Sequence, residues 1–144
     1  MKNIILILGL LLIGFSSEAQ NNHSENQAEH KLIIQLVNGD SLSQFGLIKN
    51  LRNLTTGWPE LQIEVVCHGP GIGFLVNGKS PFLDDIHKLA EQGVIFAACE
   101  NTMKAKKIPA DKISKDAITV PMGIQEVVLK QEAGWSYIKA GVVK

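Results

Sequence analysis

Apolar residues fall along the chain in two rhythms. "KLIIQLVN" (Lys31 to Asn38) is a nearly continuous aliphatic run rich in β-branched residues. That is the pattern of a strand buried on both faces, and a parallel sheet is its natural home. "LQIEVVC" (Leu61 to Cys67), "GVIFAAC" (Gly93 to Cys99) and "AITVP" (Ala117 to Pro121) read as the second, third and fourth strands, and "WSYIKA" as a short last one. Between these runs the period lengthens. Leu42, Phe45, Ile48, Leu51 and Leu54 recur at helical spacing behind Asp40 or Ser41 as cap, and Gly57 and Pro59 end the helix. Ser80-Pro81 opens a second helix with Phe82, Leu83, Ile86 and Leu89 on one stripe. "NTMKAKKI" and "PADKI" read as short helical pieces, and "MGIQEVVLKQEAG" as the last helix. Strands alternating with helices over short connections predict an α/β domain on a mainly parallel five-stranded sheet.

At 144 residues the chain has room for one core of ordinary size. Its first stretch does not belong to that core. "MKNIILILGLLLIGFSSEAQ" has a charged start at Lys2, an apolar run from Ile4 to Phe15, and a small-x-small site ending at Ala19. This predicts a secretory signal peptide over residues 1–19, since the run is shorter than the roughly 20 residues a bilayer-spanning helix needs. A polar lead-in over 20–30, with His23 and His30 as solvated bystanders, and a single domain over 31–144 complete the expected organisation. The mature protein is then periplasmic or secreted, with no stable membrane insertion. Lysine plus arginine equals aspartate plus glutamate at 14 each, so no long-range field recruits nucleic acid, and the few aromatics are not interleaved with basic residues.

Candidate chemistry gathers where strands end, because sites in such sheets form outside the carboxyl ends of the strands. Cys67-His68-Gly69, Cys99-Glu100-Asn101 and Pro121-Met122-Gly123 all follow strands and should share one edge. Cys99 precedes a helix start, with Asn101 or Thr102 as cap and Lys104, Lys106 and Lys107 close behind. Free N–H groups and ammonium groups there favour a thiolate, while Glu100 works against it. The bland alternative is a small core residue following Ala97 and Ala98.

Cys67 and His68, adjacent in an extended chain, point to opposite faces and do not form a nucleophile and base. His68 approaching Cys99 across the sheet edge, or a Cys67–Cys99 bridge between neighbouring strands, are the remaining thiol arrangements. Zinc lacks any ligand-pair spacing. "GPGIG" (Gly69 to Gly73) does not match GxGxxG, lacks GK[ST], and loses an N–H at Pro70. It reads as a turn, with a small anion or sulfur ligand near the N–H groups of Gly69 and Gly71 as the other possibility.

The succession "HGPGIGFLV", "LAEQGVIFAACENTMKAKKI" and "VPMGIQEVVLKQEAGWSYIKA" resembles the DsrE/DsrF-like family from Lys31 to Ala140. The resemblance implies a three-layer α/β/α fold, flavodoxin-like, that assembles into trimers or hexamers. In the sulfur-relay members, the cysteine after the third strand takes sulfane sulfur from a donor protein as a persulfide and passes it to an acceptor, a chemistry that implies no metal or organic cofactor. That position is Cys99 here, with Cys67 as a possible second thiol. His68, Gly69, Gly71, Asn101, Thr102 and Gly123 would line the site. Relay members usually carry arginine-glycine where this chain has Lys106-Lys107, and the classical relay works in the cytoplasm. An exported copy would therefore use other donors and acceptors, protein or small sulfane-sulfur compounds. The alternative is a non-catalytic oligomeric binding module, or a redox sensor in which the two cysteines are structural or pair.

Overall fold

The structure, a computed structural model, describes residues 29–141. The expected signal peptide and most of the lead-in lie outside the described residues. Of the lead-in only Glu29 and His30 are seen, and the exposed His30 ring packs on Trp58 with centroids 4.6 Å apart.

Five strands form one sheet: β1 (Lys31–Leu36), β2 (Gln62–Cys67), β3 (Ile95–Cys99), β4 (Ala117–Val120) and β5 (Ser136–Lys139). Their order is β4-β3-β2-β1-β5, and every pairing is parallel. The helices are α1 (Ser41–Gly57), α2 (Leu83–Glu91), α3 (Glu100–Lys106) and α4 (Gly123–Glu132). The layers and the parallel pairing are those expected of a flavodoxin-like α/β/α domain.

Local chemistry explains most boundaries. Asp40, not Ser41, caps α1, its carboxylate accepting the Ser43 N–H and hydroxyl at 2.8 Å each. Those bonds hold the Asp40 carboxyl below its ordinary pKa. Helix α2 begins at Leu83, two residues after Pro81, because Ser80 is spent on a turn in which its Oγ accepts the Phe82 N–H. "GPGIG" is not a simple turn. Residues Gly69–Leu75 form a 3₁₀ helix, drawn inward by buried Ile72, Phe74 and Leu75. Helix α3 starts directly at Glu100 with Cys99 in the cap position, and Lys107 closes it in a left-handed conformation at φ 54°.

The topology makes the two faces unequal. Strands β1 to β4 advance in one direction, and β5 then returns to the far side of β1. If every parallel crossover keeps the same right hand, α4 must cross the face opposite α1 and α2. The thick face carries the main core, including Ile34, Leu36, Ile48, Leu51, Val65, Phe74 and Phe96. Across the sheet, α4 covers a small cluster of Ile33, Val66, Ala97, Val120 and Val127, flanked by Trp135. Around that helix Ile95, Ile118, Ile124, Val128 and Leu129 stay exposed, Ile124 by 60%. Among the described residues no helix is long and apolar enough to cross a membrane.

Candidate functional site

The carboxyl ends of β1, β2, β3 and β4 bring most of the candidate residues to one edge, beneath the first turn of α4. Register fixes which thiol faces where. Cys67 of β2 lies opposite Ala98 of β3, so Cys99, one residue on, projects from the other face. Cys67 is sealed in the main core, and burial pushes its thiol far above the ordinary range. Both cysteines are free. The two thiols sit on adjacent strands, as a bridge would need, but the sheet separates them.

Cys99 is 4% exposed, on the α4 face. Its Sγ accepts a hydrogen bond from the Gly123 N–H at 3.2 Å. The Thr102 hydroxyl and the N–H groups of Thr102 and Asn101, at the start of α3, surround the sulfur as further dipoles. Burial is the largest single influence on this thiol and opposes ionisation. The Thr102 hydroxyl, the Gly123 N–H and the N–H groups of Thr102 and Asn101 together outweigh it and leave the pKa below its ordinary value.

Neighbouring loops stitch this arrangement together. The Gly69 N–H donates to Thr102 Oγ1 at 3.0 Å, which leaves the Thr102 proton free to point at sulfur. The Asn101 N–H donates to the Pro121 carbonyl at 3.3 Å, tying the start of α3 to the turn before α4. Glycine at 123 suits this approach, because a side chain would crowd it. A Cβ there would lie 3.1 Å from His68 Cβ, 3.2 Å from Val66 Cγ1 and 3.3 Å from Cys99 Cβ.

His68 thus stands beside Cys99, with no direct bond between the two side chains among the described residues. Its Nε2 is 2.8 Å from Gln35 Nε2, and Gln35 Oε1 accepts the Tyr137 hydroxyl at 2.6 Å. This orientation of the amide has Gln35 donating to the imidazole, which places the His68 proton on Nδ1. Burial lowers the His68 pKa, so the ring is held neutral.

Of the expected site residues, Cys99, His68, Gly69, Thr102 and Gly123 come together. Asn101 is exposed and contributes its backbone, and Cys67 is on the other face. Gly71 packs instead against the Leu36 carbonyl of β1, where a Cβ would collide with backbone. Gln35, Tyr137 and the buried Glu64 were not anticipated. Their only signal was polarity inside runs that otherwise read as buried strand. Among the described residues, four well-formed surface cavities are lined by residues other than Cys99. Among the described residues no group of three or more His, Cys, Asp or Glu is placed to hold a metal ion.

The family model described as the DsrE/DsrF-like family matches residues 24–140. A solved protein of unknown function from Methanobacterium thermoautotrophicum is 31% identical, with 76% of this chain and 98% of that one covered at a TM-score of 0.73. A conserved protein of unknown function from Bacteroides thetaiotaomicron (19% identity, 78% and 96% covered, TM-score 0.65) shares the fold. So does the ychN protein of E. coli (11% identity, 77% and 98% covered, TM-score 0.63). No curated protein matches.

Proposed function

The chain belongs to the DsrE/DsrF-like family, and from that membership and the setting of Cys99 we propose that it is an exported carrier of sulfane sulfur. The observation that carries the proposal is the sulfur at the end of β3. It is buried, yet bonded by the Gly123 N–H at 3.2 Å and surrounded by dipoles that favour its anion.

The chemistry this setting supports is exchange at sulfur. The Cys99 thiolate attacks the outer sulfur of a donor persulfide, R–S–SH. A Cys99 S–S bond forms, the donor S–S bond breaks, and the electron pair leaves on R–S⁻, which water protonates. Cys99 then carries –S–SH, and an acceptor thiolate reverses the exchange by attacking that outer sulfur. No net oxidation occurs. A thiol of lowered pKa suits both halves, being ionised as nucleophile and a good leaving group afterwards. The Gly123 N–H and Thr102 hydroxyl would serve the anion in each.

Export rests on the charged, apolar and small-residue pattern of residues 1–19. Self-assembly rests on the apolar surface around α4, where Ile118, Ile124, Val128 and Leu129 are exposed. Amino-terminal sequencing of protein from the cell and light scattering after size exclusion test these two points.

The central test incubates mature protein with several sulfane-sulfur donors and reads intact mass. A one-sulfur adduct is expected on wild type and Cys67→Ser but not on Cys99→Ser. Absence of a Cys99-dependent adduct with every donor would sink the carrier reading and leave an oligomeric binding module, to which the exposed apolar surface is equally suited.

A further inference from the structure

On the thinly covered face, one carboxylate is out of place. Glu64 is 1% exposed in the middle of β2, with apolar Ile33 of β1 and Ile95 of β3 beside it. Its Oε2 meets Lys130 Nζ of α4 at 2.6 Å, and Oε1 has no hydrogen-bond partner. From α4, Glu126 also reaches Lys130 at 3.7 Å, and the Lys130 ammonium lies 4.5 Å over the Trp135 ring. Desolvation raises the Glu64 pKa against the opposing pull of Lys130. A buried ion pair of this kind contributes little net stability compared with apolar side chains of the same shape. What it does supply is a fixed distance and direction, which dispersion contacts do not.

That directionality matters because of where α4 goes. Among its described residues only Gly123 and Val127 are buried, so the helix has little apolar anchorage. One end places the Gly123 N–H on Cys99 Sγ; seven residues later, about 10 Å along the axis, Lys130 is pinned to Glu64. The helix is held at both ends by polar contacts to adjacent strands of one sheet.

We infer that Glu64 and Lys130 are positioning residues for the Cys99 thiol, seating α4 so that the Gly123 N–H stays on the sulfur. The inference rests on Cys99 being the reactive thiol of the proposed function, but it is tested on that thiol's ionisation, without a sulfur donor.

The experiment is the pH profile of Cys99 alkylation by iodoacetamide, read by peptide mass, together with hydrogen exchange of the Gly123 amide. Lys130→Met is expected to raise the profile's midpoint by about half a unit or more, close to threefold less thiolate at neutral pH. It should raise the alkaline plateau as α4 loosens and speed exchange at Gly123. Glu64→Gln, which keeps the shape and an acceptor oxygen, should fall between. The double variant Glu64→Leu/Lys130→Met separates seating from stability, because an apolar replacement of a buried pair usually folds at least as well. A raised midpoint in that stable variant supports positioning. A wild-type midpoint with unchanged Gly123 exchange overturns it, whatever Lys130→Met does to folding. Failure of wild type to form a persulfide would remove the carrier reading and leave this result standing.

Discussion

Gly123→Ala probes the contact on which the proposed chemistry depends. The new Cβ would meet His68 Cβ, Val66 Cγ1 and Cys99 Cβ at 3.1–3.3 Å, two of them Cβ atoms fixed directly to backbone. None is the free end of a flexible side chain, so α4 has to lift by a few tenths of an ångström. Overpacking of this kind costs about 1–3 kcal/mol, and alanine's helix propensity returns less than about 1 kcal/mol of it. The expected net loss of about 1–2 kcal/mol lowers Tm by roughly 4–10 °C for a domain of this size.

The functional effect is separate. A hydrogen bond to a charged group is worth about 1.5–3 kcal/mol, and losing about half of it raises the Cys99 pKa by roughly half to one unit. Thiolate at neutral pH then falls about three- to tenfold. Persulfide formation falls less, to roughly a third or a half, because a more basic thiolate is also the better nucleophile. Calorimetry gives Tm, the iodoacetamide pH profile gives the pKa, and donor-dependent mass increase gives the transfer rate. A lowered Tm with an unshifted profile would refute the assignment of the Gly123 N–H as the stabilising donor. An unchanged Tm would refute the tight approach itself.

Three other substitutions extend the test. Thr102→Val removes the acceptor of the Gly69 N–H and a hydroxyl near sulfur; a loss of about 1–3 kcal/mol for the orphaned donor and a raised Cys99 pKa are expected, by denaturant melt and alkylation profile. Gly71→Ala drives a Cβ into the Leu36 carbonyl, where only backbone movement gives relief, so this variant should lose more than about 3 kcal/mol or fail to fold, as judged by soluble yield and circular dichroism. His68 has a folded pKa below its ordinary 6.5 through burial, so the unfolded chain takes up a proton first and stability falls as pH drops below 6.5. In His68→Asn that part of the decline should vanish from melts compared across the same range.

Much of this was legible along the chain, and what was not has a common cause. The three central strands announced themselves because both-face burial forces continuous apolar runs, whereas the exposed edge strands β4 and β5 showed only as short β-branched and aromatic stretches; the sharing of one edge by Cys99, His68 and Gly123 followed from parallel topology. Register did not follow. Whether Cys67 and Cys99 share a face depends on Cys67 pairing with Ala98 rather than Cys99, a one-residue matter settled by packing across strands. Glu64 and Gln35 were unreadable for a related reason. Each is a polar residue in an apolar run, and only the partner it meets, Lys130 or His68, gives it meaning. "GPGIG" misled because glycine and proline mark turns locally, whereas here Gly71 is needed for contact with β1 and the following apolar residues pull the segment into a 3₁₀ helix.

The unequal faces connect these observations. A thiol on the thick face, like Cys67, is walled in by the main core and its ionisation is suppressed. Cys99 is almost as inaccessible at 4% exposure, yet its covering is a single helix turn with a glycine at the contact and only Val127 buried deeper along the helix. The energy needed to uncover the two sulfurs therefore differs greatly, although their static exposure does not. Opening at Cys67 means parting the main core around it; at Cys99 it means a small displacement of α4. The same displacement withdraws the Gly123 N–H and weakens the thiolate. Access and activation at Cys99 are thus opposed, and a donor must supply contacts that replace the Gly123 N–H as it enters. Small donors, lacking such contacts, should react with Cys99 more slowly than its thiolate fraction alone predicts.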